Sequence, residues 1–366
     1  MKIGILKEHN KGENRVSVSP TITKAFIAKG FECIVEEGAG IASSYKDVDY
    51  ENVGAKILSQ KELFNQANLL VKINPFSDEE IAMLKEGQVT ISTLYHLMHT
   101  KIIDALAKKG ISSFSLDAMP RISRAQDMDI LSSQNNIAGY KAVILGAYEM
   151  TKIFPLMMTA AGTITPSRVL IFGVGVAGLQ AIATAKRLGA VVEATDIRTE
   201  TKEQAESLGA KFISVENSGE TSVGGYATEA SDDYATRQKA AVNASLAKAD
   251  LVITTAFVPG RKAPILITKE QVELMKNGAV IVDLASGQGG NCEVSKLNET
   301  IIHNGVKVIG TTNAPQSVST NASELFGKNI YNFVIHLTEE NNFKWDFNDE
   351  ITTETLIVHE GKKLKN

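Results

Sequence analysis

Residues 168–196 constrain this chain more than any other stretch. They read Arg168-Val-Leu-Ile-Phe172, then Gly173-Val-Gly175-Val176-Ala177-Gly178, an alanine-rich segment to Gly189, and Ala190-Val-Val-Glu-Ala-Thr-Asp196. An apolar β-branched run feeds a G-x-G-x-x-G turn, a helix-forming segment follows, and a second apolar run ends on an acid. That combination is the fingerprint of a βαβ dinucleotide site, and each part has a physical job. Gly173 permits the tight turn, Gly175 lets backbone amides approach a pyrophosphate, and Gly178 lets helix and strand pack closely. The phosphates then face the amide-rich, partly positive helix end at Val176 and Ala177. Asp196 sits where a carboxylate accepts hydrogen bonds from ribose hydroxyls, and Ile197 and Arg198 complete the cofactor-binding set on this side. The alternative is a glycine-rich turn in an α/β domain with no ligand.

At 366 residues two domains are more natural than one core. Hydrophobic residues are 43% and charged residues 22%, which fits a soluble globular protein. A net charge of −4 and a pI near 6.0 give no reason to expect a nucleic-acid partner. Cys33 and Cys292 fit no redox or metal motif, and the six histidines show no ligand spacing. No run approaches the roughly 18 apolar residues that span a bilayer, and the opening Met1-Lys-Ile-Gly-Ile-Leu-Lys-Glu8 lacks a signal-peptide hydrophobic region. The chain reads as soluble and cytosolic-facing, able to dock on a membrane partner.

Ahead of the fingerprint, short apolar runs alternate with helical stretches, so a parallel, helix-covered sheet comes first. It carries no glycine fingerprint. A helix from Asn136 to Phe154 leads into the second domain. There the alternation resumes until the Ala314-Pro315 step, and a helix from Ser323 to Leu337 rejoins the first domain. The pattern predicts an α/β protein of two Rossmann-like domains with parallel helix-covered sheets, joined by long helices around a nucleotide cleft. The first comprises residues 1–135 plus 315–366 and the second residues 136–314. The final charged residues read as a loose tail.

Two polar stretches carry further chemistry. Pro120-Arg121-Ile-Ser-Arg-Ala-Gln126-Asp-Met-Asp129-Ile-Leu-Ser132-Ser-Gln134 has many hydrogen-bonding groups for a connection. It either binds the carboxamide and ribose end of a nicotinamide nucleotide or merely caps the following helix. The Gly/Ser/Thr-rich segment Glu216–Asp233 contains Gly224-Gly225-Tyr226, one amphipathic side chain beside flexible hinges. That suits a closing lid, the alternative being a plain polar insertion.

The run Pro120 to Tyr140, then Met157-Met-Thr-Ala-Ala-Gly162, then Gly173 to Gly189, closely resembles the NAD(H)-binding component, the first α subunit, of proton-translocating nicotinamide nucleotide transhydrogenase. The likeness extends to Lys7-Glu8, Arg15, Gly290-Asn-Cys292 and Thr311-Thr-Asn313, and so covers essentially the whole chain. It implies that Arg121, Gln126, Asp129 and Ser132 contact the nicotinamide end of NAD(H), with Gln126, Arg121 and Asp129 as the catalytic set. It further implies Asp196 on the adenosine ribose, and Gly225 and Tyr226 on a mobile loop over the nucleotide. NADP(H) on a partner subunit, a membrane-spanning partner, a homodimer and a peripheral place on the cytoplasmic face of the inner membrane follow from the same resemblance, as does membership of the Si-specific oxidoreductase class.

Alanine dehydrogenase shares the fold and is the rival reading. Its pattern expects Lys-Glu-Pro after the third strand, a histidine in a Leu-His-Leu-like context and an aspartate before Gln-Gly-Gly. This chain has Ile73-Asn74-Pro75, Tyr95-His96-Leu97 and Gly287-Gln288-Gly289-Gly290. Oxidative deamination needs acid–base groups. Direct hydride transfer between two nicotinamides moves no proton, and needs only rings held roughly 3–3.5 Å apart with water excluded. The losses at 74 and 287 therefore favour transhydrogenase. Arg15 and His96 survive from the dehydrogenase pattern; they either line a remnant substrate pocket or, as favoured, Arg15 is structural and His96 a hydrogen-bonded strand-end residue. Arg198 suggests a 2′-phosphate site, but Asp196 would repel that phosphate, so NAD is favoured.

Overall fold

The computed structural model describes residues 1–198, 200–214, 232–256 and 262–365. The chain divides into two compact units, Met1–Gln134 with Pro315–Asn366, and Asn135–Ala314. The division falls inside the helix Ile130–Glu149.

In the first unit the strands β1 (Lys2–Ile5), β2 (Glu32–Glu36), β3 (Lys56–Leu58), β4 (Leu69–Val71), β5 (Val89–Ser92) and β6 (Ser112–Ser115) run parallel in the order β3-β2-β1-β4-β5-β6. Apolar side chains line both faces, as a sheet covered on both sides requires. Ile3, Ile5, Leu69 and Val71 pack on one side with Phe326, Phe333 and Val334 of helix Ser319–Leu337, while Leu6, Ile34 and Leu70 pack on the other with Leu63, Phe64 and Leu106. Helix starts follow the sequence chemistry. Ser19 caps the helix Pro20–Ala28, whose proline stands in its first turn, and Ser77 and Glu80 form a capping box.

The loose-tail expectation is overturned. Leu356–His359 adds antiparallel to β6 and turns back through Lys362–Lys363. The apolar run Leu356-Ile357-Val358 is fully buried, and that burial outweighs the charged residues after it.

The second unit opens with an isolated hairpin, β7 (Met157–Thr159) and β8 (Gly162–Ile164), exposed at every residue. Its main sheet holds β9 (Arg168–Phe172), β10 (Val191–Thr195), β11 (Lys211–Phe212), β12 (Leu251–Thr254), β13 (Val280–Asp283), β14 (Thr300–His303) and β15 (Val306–Gly310) in the order β11-β10-β9-β12-β13-β15-β14. All pairings are parallel except the edge strand β14. Both units are thus Rossmann-like. Helix Ile130–Glu149 packs so closely on the start of helix Val176–Arg187 that a Cβ on Gly139 would lie 2.1 Å from the Ala177 carbonyl oxygen.

If the C-terminal strand belongs to the core, Leu356→Ala lowers the unfolding free energy of the first unit by about 3 kcal/mol. Lys363→Ala, which breaks only an exposed pair with Asp104, changes it by less than about 0.5 kcal/mol. Urea titration of both variants checks this, and equal, negligible effects would restore the loose tail.

Candidate functional site

In an open parallel sheet, ligands bind beyond the carboxyl ends of the strands where the strand order reverses. In the second unit that point lies between β9 and β12, whose ends deliver Gly173 and Thr255–Ala256. Gly173 has φ +90°, which a side chain rarely adopts. A Cβ there would also meet Thr255 Oγ1 at 2.7 Å, and one on Gly178 would lie 1.8 Å from the Gly173 carbonyl oxygen. At Gly175 a Cβ would meet nothing within 4 Å, so space is open in front of that backbone. Gly175 begins the helix Val176–Arg187 without a side-chain cap, unlike Thr268, which caps its helix. An uncapped helix start with open space before it fits an anionic group such as a pyrophosphate.

Asp196 follows β10. Its carboxylate is almost fully buried and accepts from the Val174 amide at 2.7 Å. Arg198 donates to it from its amide at 2.9 Å and from Nε and Nη2, each at 3.0 Å. Burial pushes the Asp196 carboxyl up, but the Arg198 guanidinium and the two amides outweigh it and hold it below the ordinary value. Asp196 is therefore an anionic acceptor already charge-paired by its neighbour, and Ile197 projects into solvent.

The 120–134 loop resolves into parts with separate jobs. Ser123–Met128 forms a 3-10 turn with Ala125 and Met128 in the core. Arg124 pairs with Asp349, whose carboxyl burial raises but His336, the Thr352 amide and Arg124 hold far below its ordinary range. The Asp127 carbonyl accepts from Asn329 and Asn332, which pins the turn to helix Ser319–Leu337. Asp129 caps the next helix, accepting from the Ser132 amide at 3.0 Å and the Ser132 hydroxyl at 2.6 Å. The capping reading thus describes Asp129 and Ser132. Arg121 and Gln126, by contrast, are exposed on a loop fixed through its other residues. Gly225 and Tyr226 lie outside the described residues.

The first unit's own reversal point, between β1 and β4, is filled by its side chains. Glu8 accepts from the Ile73 amide and from Asn74 Nδ2. Lys72 Nζ holds both Glu80 oxygens at 2.8 and 2.9 Å and lies 4.0 Å from Glu8. Arg15 makes a two-pronged pair with Glu13, at 2.8 and 2.7 Å, and donates to Gln134 Oε1 at 2.8 Å. All these charged groups are buried. Burial raises the Glu8 carboxyl against Lys72 and Asn74, whereas the Arg15 bonds overcome burial and lower Glu13. Arg15 is structural in this setting. His96 departs from expectation: its Nδ1 is buried with no hydrogen-bond partner, and desolvation lowers its pKa.

Residues 4–138 match the alanine dehydrogenase/PNT N-terminal domain family, and residues 142–366 match the C-terminal domain family. A relative from Rhodospirillum rubrum, the first part of NAD(P) transhydrogenase subunit alpha, is 48% identical over 99% of this chain and 97% of its own length. The chain belongs to the alanine dehydrogenase/PNT family, of the transhydrogenase α-subunit kind. Transhydrogenase from Sinorhizobium meliloti superposes with a TM-score of 0.92 at 40% identity, covering 99% of this chain and all of that one. An L-alanine dehydrogenase superposes at 0.84 with 26% identity, covering 99% and 96%.

Within this family the two departures from the dehydrogenase pattern acquire physical settings. Asn74 Nδ2 bridges Glu8 and Glu13, at 3.0 and 3.1 Å, and Lys72 is consumed by Glu80. A Cβ on Gly287 would lie 2.8 Å from Thr312 Cγ2, so Thr312, which bonds to Asn298, would have to shift to admit a larger residue. Among the described residues no cluster of metal ligands occurs. Cys33 and Cys292 are buried, and burial pushes each thiol up to about 12, so both are inert at neutral pH. Residues to which the sequence assigned no role include Thr255, Asp283 and Asn291. For Thr255 and Asp283 the signal was a polar side chain at or just beyond the end of an apolar strand.

The division of labour in the 120–134 loop predicts opposite stability effects. Asp129→Ala should cost about 1 kcal/mol as a lost helix cap, while Arg121→Ala and Gln126→Ala stay within about 0.5 kcal/mol of the parent. Chemical denaturation tests this, and a large loss from Gln126→Ala would return that residue to the scaffold.

Proposed function

We propose that this chain is the NAD(H)-binding subunit of a proton-translocating transhydrogenase. Hydride passes directly between NADH bound here and NADP+ bound on a partner subunit, and a membrane-spanning partner couples the transfer to proton movement. The observation that carries the reading is the pairing of two features. An uncapped, open helix start beside a buried, ionised Asp196 suits the phosphates and the adenosine ribose. Two acid–base groups of the dehydrogenase pattern are, in contrast, replaced, by Asn74 and Gly287. Full-length likeness to a transhydrogenase subunit supports the same choice.

On this reading Gly173, Gly175, Val176, Ala177 and Gly178 receive the pyrophosphate, and Asp196, Ile197 and Arg198 form the ribose edge. Arg121 and Gln126 address the nicotinamide end. Asp129 and Ser132 join them by exchanging part of their mutual bond for the ligand, and Gly225 and Tyr226 close over the nucleotide. The chemistry moves a hydride and no proton, so these residues orient and shield rather than act as acid or base.

A second copy of the chain is the proposed occupant of the hairpin at 157–164. Leu156, Met157, Met158 and Ile164 are exposed there, and a two-stranded hairpin has little stability of its own in water. No helix among the described residues is long and apolar enough to cross a membrane. That agrees with peripheral attachment, on the cytoplasmic face of the inner membrane, to a spanning partner.

The direct test mixes the chain with an NADP-binding partner domain and follows reduction of an NAD analogue by NADPH. Absence of turnover while both nucleotides bind removes the proposal. Turnover of pyruvate, ammonia and NADH by the purified chain alone would establish the dehydrogenase instead. Gln126→Asn should slow transfer by about a hundredfold with NADH affinity changed by less than about threefold. Asp196→Ala should do the reverse, weakening NADH about tenfold with transfer at saturation near that of the parent. Stopped-flow transfer rates and NADH titrations separate the two.

A further inference from the structure

The motif Gly290-Asn-Cys292 has no part in the reading above, yet it builds one wall of the nucleotide turn. Asn291 is fully buried. Its side chain grips the backbone of Ala256 from both sides, accepting from the Ala256 amide at 3.0 Å and donating to the Ala256 carbonyl at 2.6 Å. The same Nδ2 donates to the Pro264 carbonyl at 2.8 Å. Its backbone is fixed in turn. The Asn291 amide donates at 2.9 Å to Asp283, a fully buried carboxylate that also accepts from Cys292, Ala285 and Thr254. The Asn291 carbonyl accepts from the Leu266 and Ile267 amides.

What this grip holds in place is Thr255, the residue before Ala256. Thr255 Oγ1 donates to the Gly173 carbonyl at 3.0 Å and lies 3.3 Å from that of Phe172, and its amide donates to the Phe172 carbonyl. It occupies the position a Gly173 side chain would need. A continuous path of hydrogen bonds thus runs from Asp283 through Asn291 and Ala256 to the glycine turn. An asparagine suits the middle of it, because one side-chain amide both accepts and donates, as a neighbouring strand would.

We propose that Asn291 is a positioning residue for dinucleotide binding, which fixes the Thr255–Ala256 wall against Gly173 and thereby sets the backbone geometry that receives the phosphates. Asp283 anchors it. Truncation leaves the Ala256 amide and two carbonyls without their partner, and the turn loses its preorganisation while the sheet keeps its apolar core.

The inference rests on the nucleotide-binding reading of the turn, and one titration separates the two. NADH binding by the full-length chain is followed by nucleotide fluorescence in the cold, where circular dichroism reports the fold. If the parent chain binds no NADH, the reading of the turn fails. With the parent binding, Asn291→Ala at native helicity should weaken NADH about tenfold. Thr255→Val, which keeps the shape and removes only the hydroxyl bond to the turn, should weaken it about threefold. A merely structural role predicts a lower melting temperature with unchanged affinity of the folded protein. Affinity within twofold of the parent for a folded Asn291→Ala overturns the proposal. Should that variant not fold, an unchanged affinity for Thr255→Val overturns it.

Discussion

The backbone contact at Gly173 is the constraint on which the second unit depends. Its amide donates to the Thr195 carbonyl at 2.9 Å, its carbonyl lies where a Gly178 side chain would be, and Thr255 closes its remaining side. Three elements therefore meet at one residue: the end of β10, the first turn of helix Val176–Arg187 and the end of β12. None can shift without opening that contact. The turn is consequently set by sheet and helix packing before any ligand arrives, and a preorganised turn binds at lower entropic cost than one ordered on binding.

The first unit solves the same topological problem differently. Its strand order also reverses, leaving a crevice of the kind that elsewhere takes a ligand. Here three carboxylates, Glu8, Glu13 and Glu80, face two cations, Arg15 and Lys72, with Asn74 and Gln134 filling the remaining hydrogen-bond positions. Such buried charge is costly unless every member is paired. The excess is one carboxylate, and burial pushes Glu8 upward, with Glu13 adding a smaller push. The crevice is thus fixed by mutual neutralisation, and its polarity serves the scaffold that carries the 120–134 loop: Arg15 reaches Gln134 at the loop's end.

Much of the fold was legible because its signals are local. The run 168–196 folds as its periodicity dictates, with β9 and β10 in register from Val191 opposite Arg168 to Thr195 opposite Phe172, and the preceding βα alternation gives the first parallel sheet. The C-terminal strand was illegible for a physical reason. Leu356-Ile357-Val358 is a short run followed by lysines, and only the free edge of β6, contributed from far away in sequence, makes it a strand. At the site, Asp129 and Ser132 were ambiguous because capping a helix and contacting a ligand call for the same residue types. What sets Arg121 apart from Arg124 in the same loop was likewise beyond residue type and spacing. One is neutralised by Asp349, 225 positions away, and the other is not. Asn291 escaped notice because its role lies in which backbone atoms it reaches.

These observations together bear on how, on the proposed reading, hydride transfer between nucleotides can use the same architecture as deamination. Either reaction needs a rigid turn for one nucleotide. The difference lies in what stands free elsewhere. In this chain the charged groups of the first unit's crevice are spent on one another, and position 287 carries a glycine packed close to Thr312. On the proposed reading, Arg121 and Gln126, both exposed, bind and orient the nicotinamide end. Suppressing the side reaction and favouring direct transfer are therefore, on that reading, one structural property, since both follow from the replacement of the dehydrogenase pattern's lysine and aspartate at positions 74 and 287.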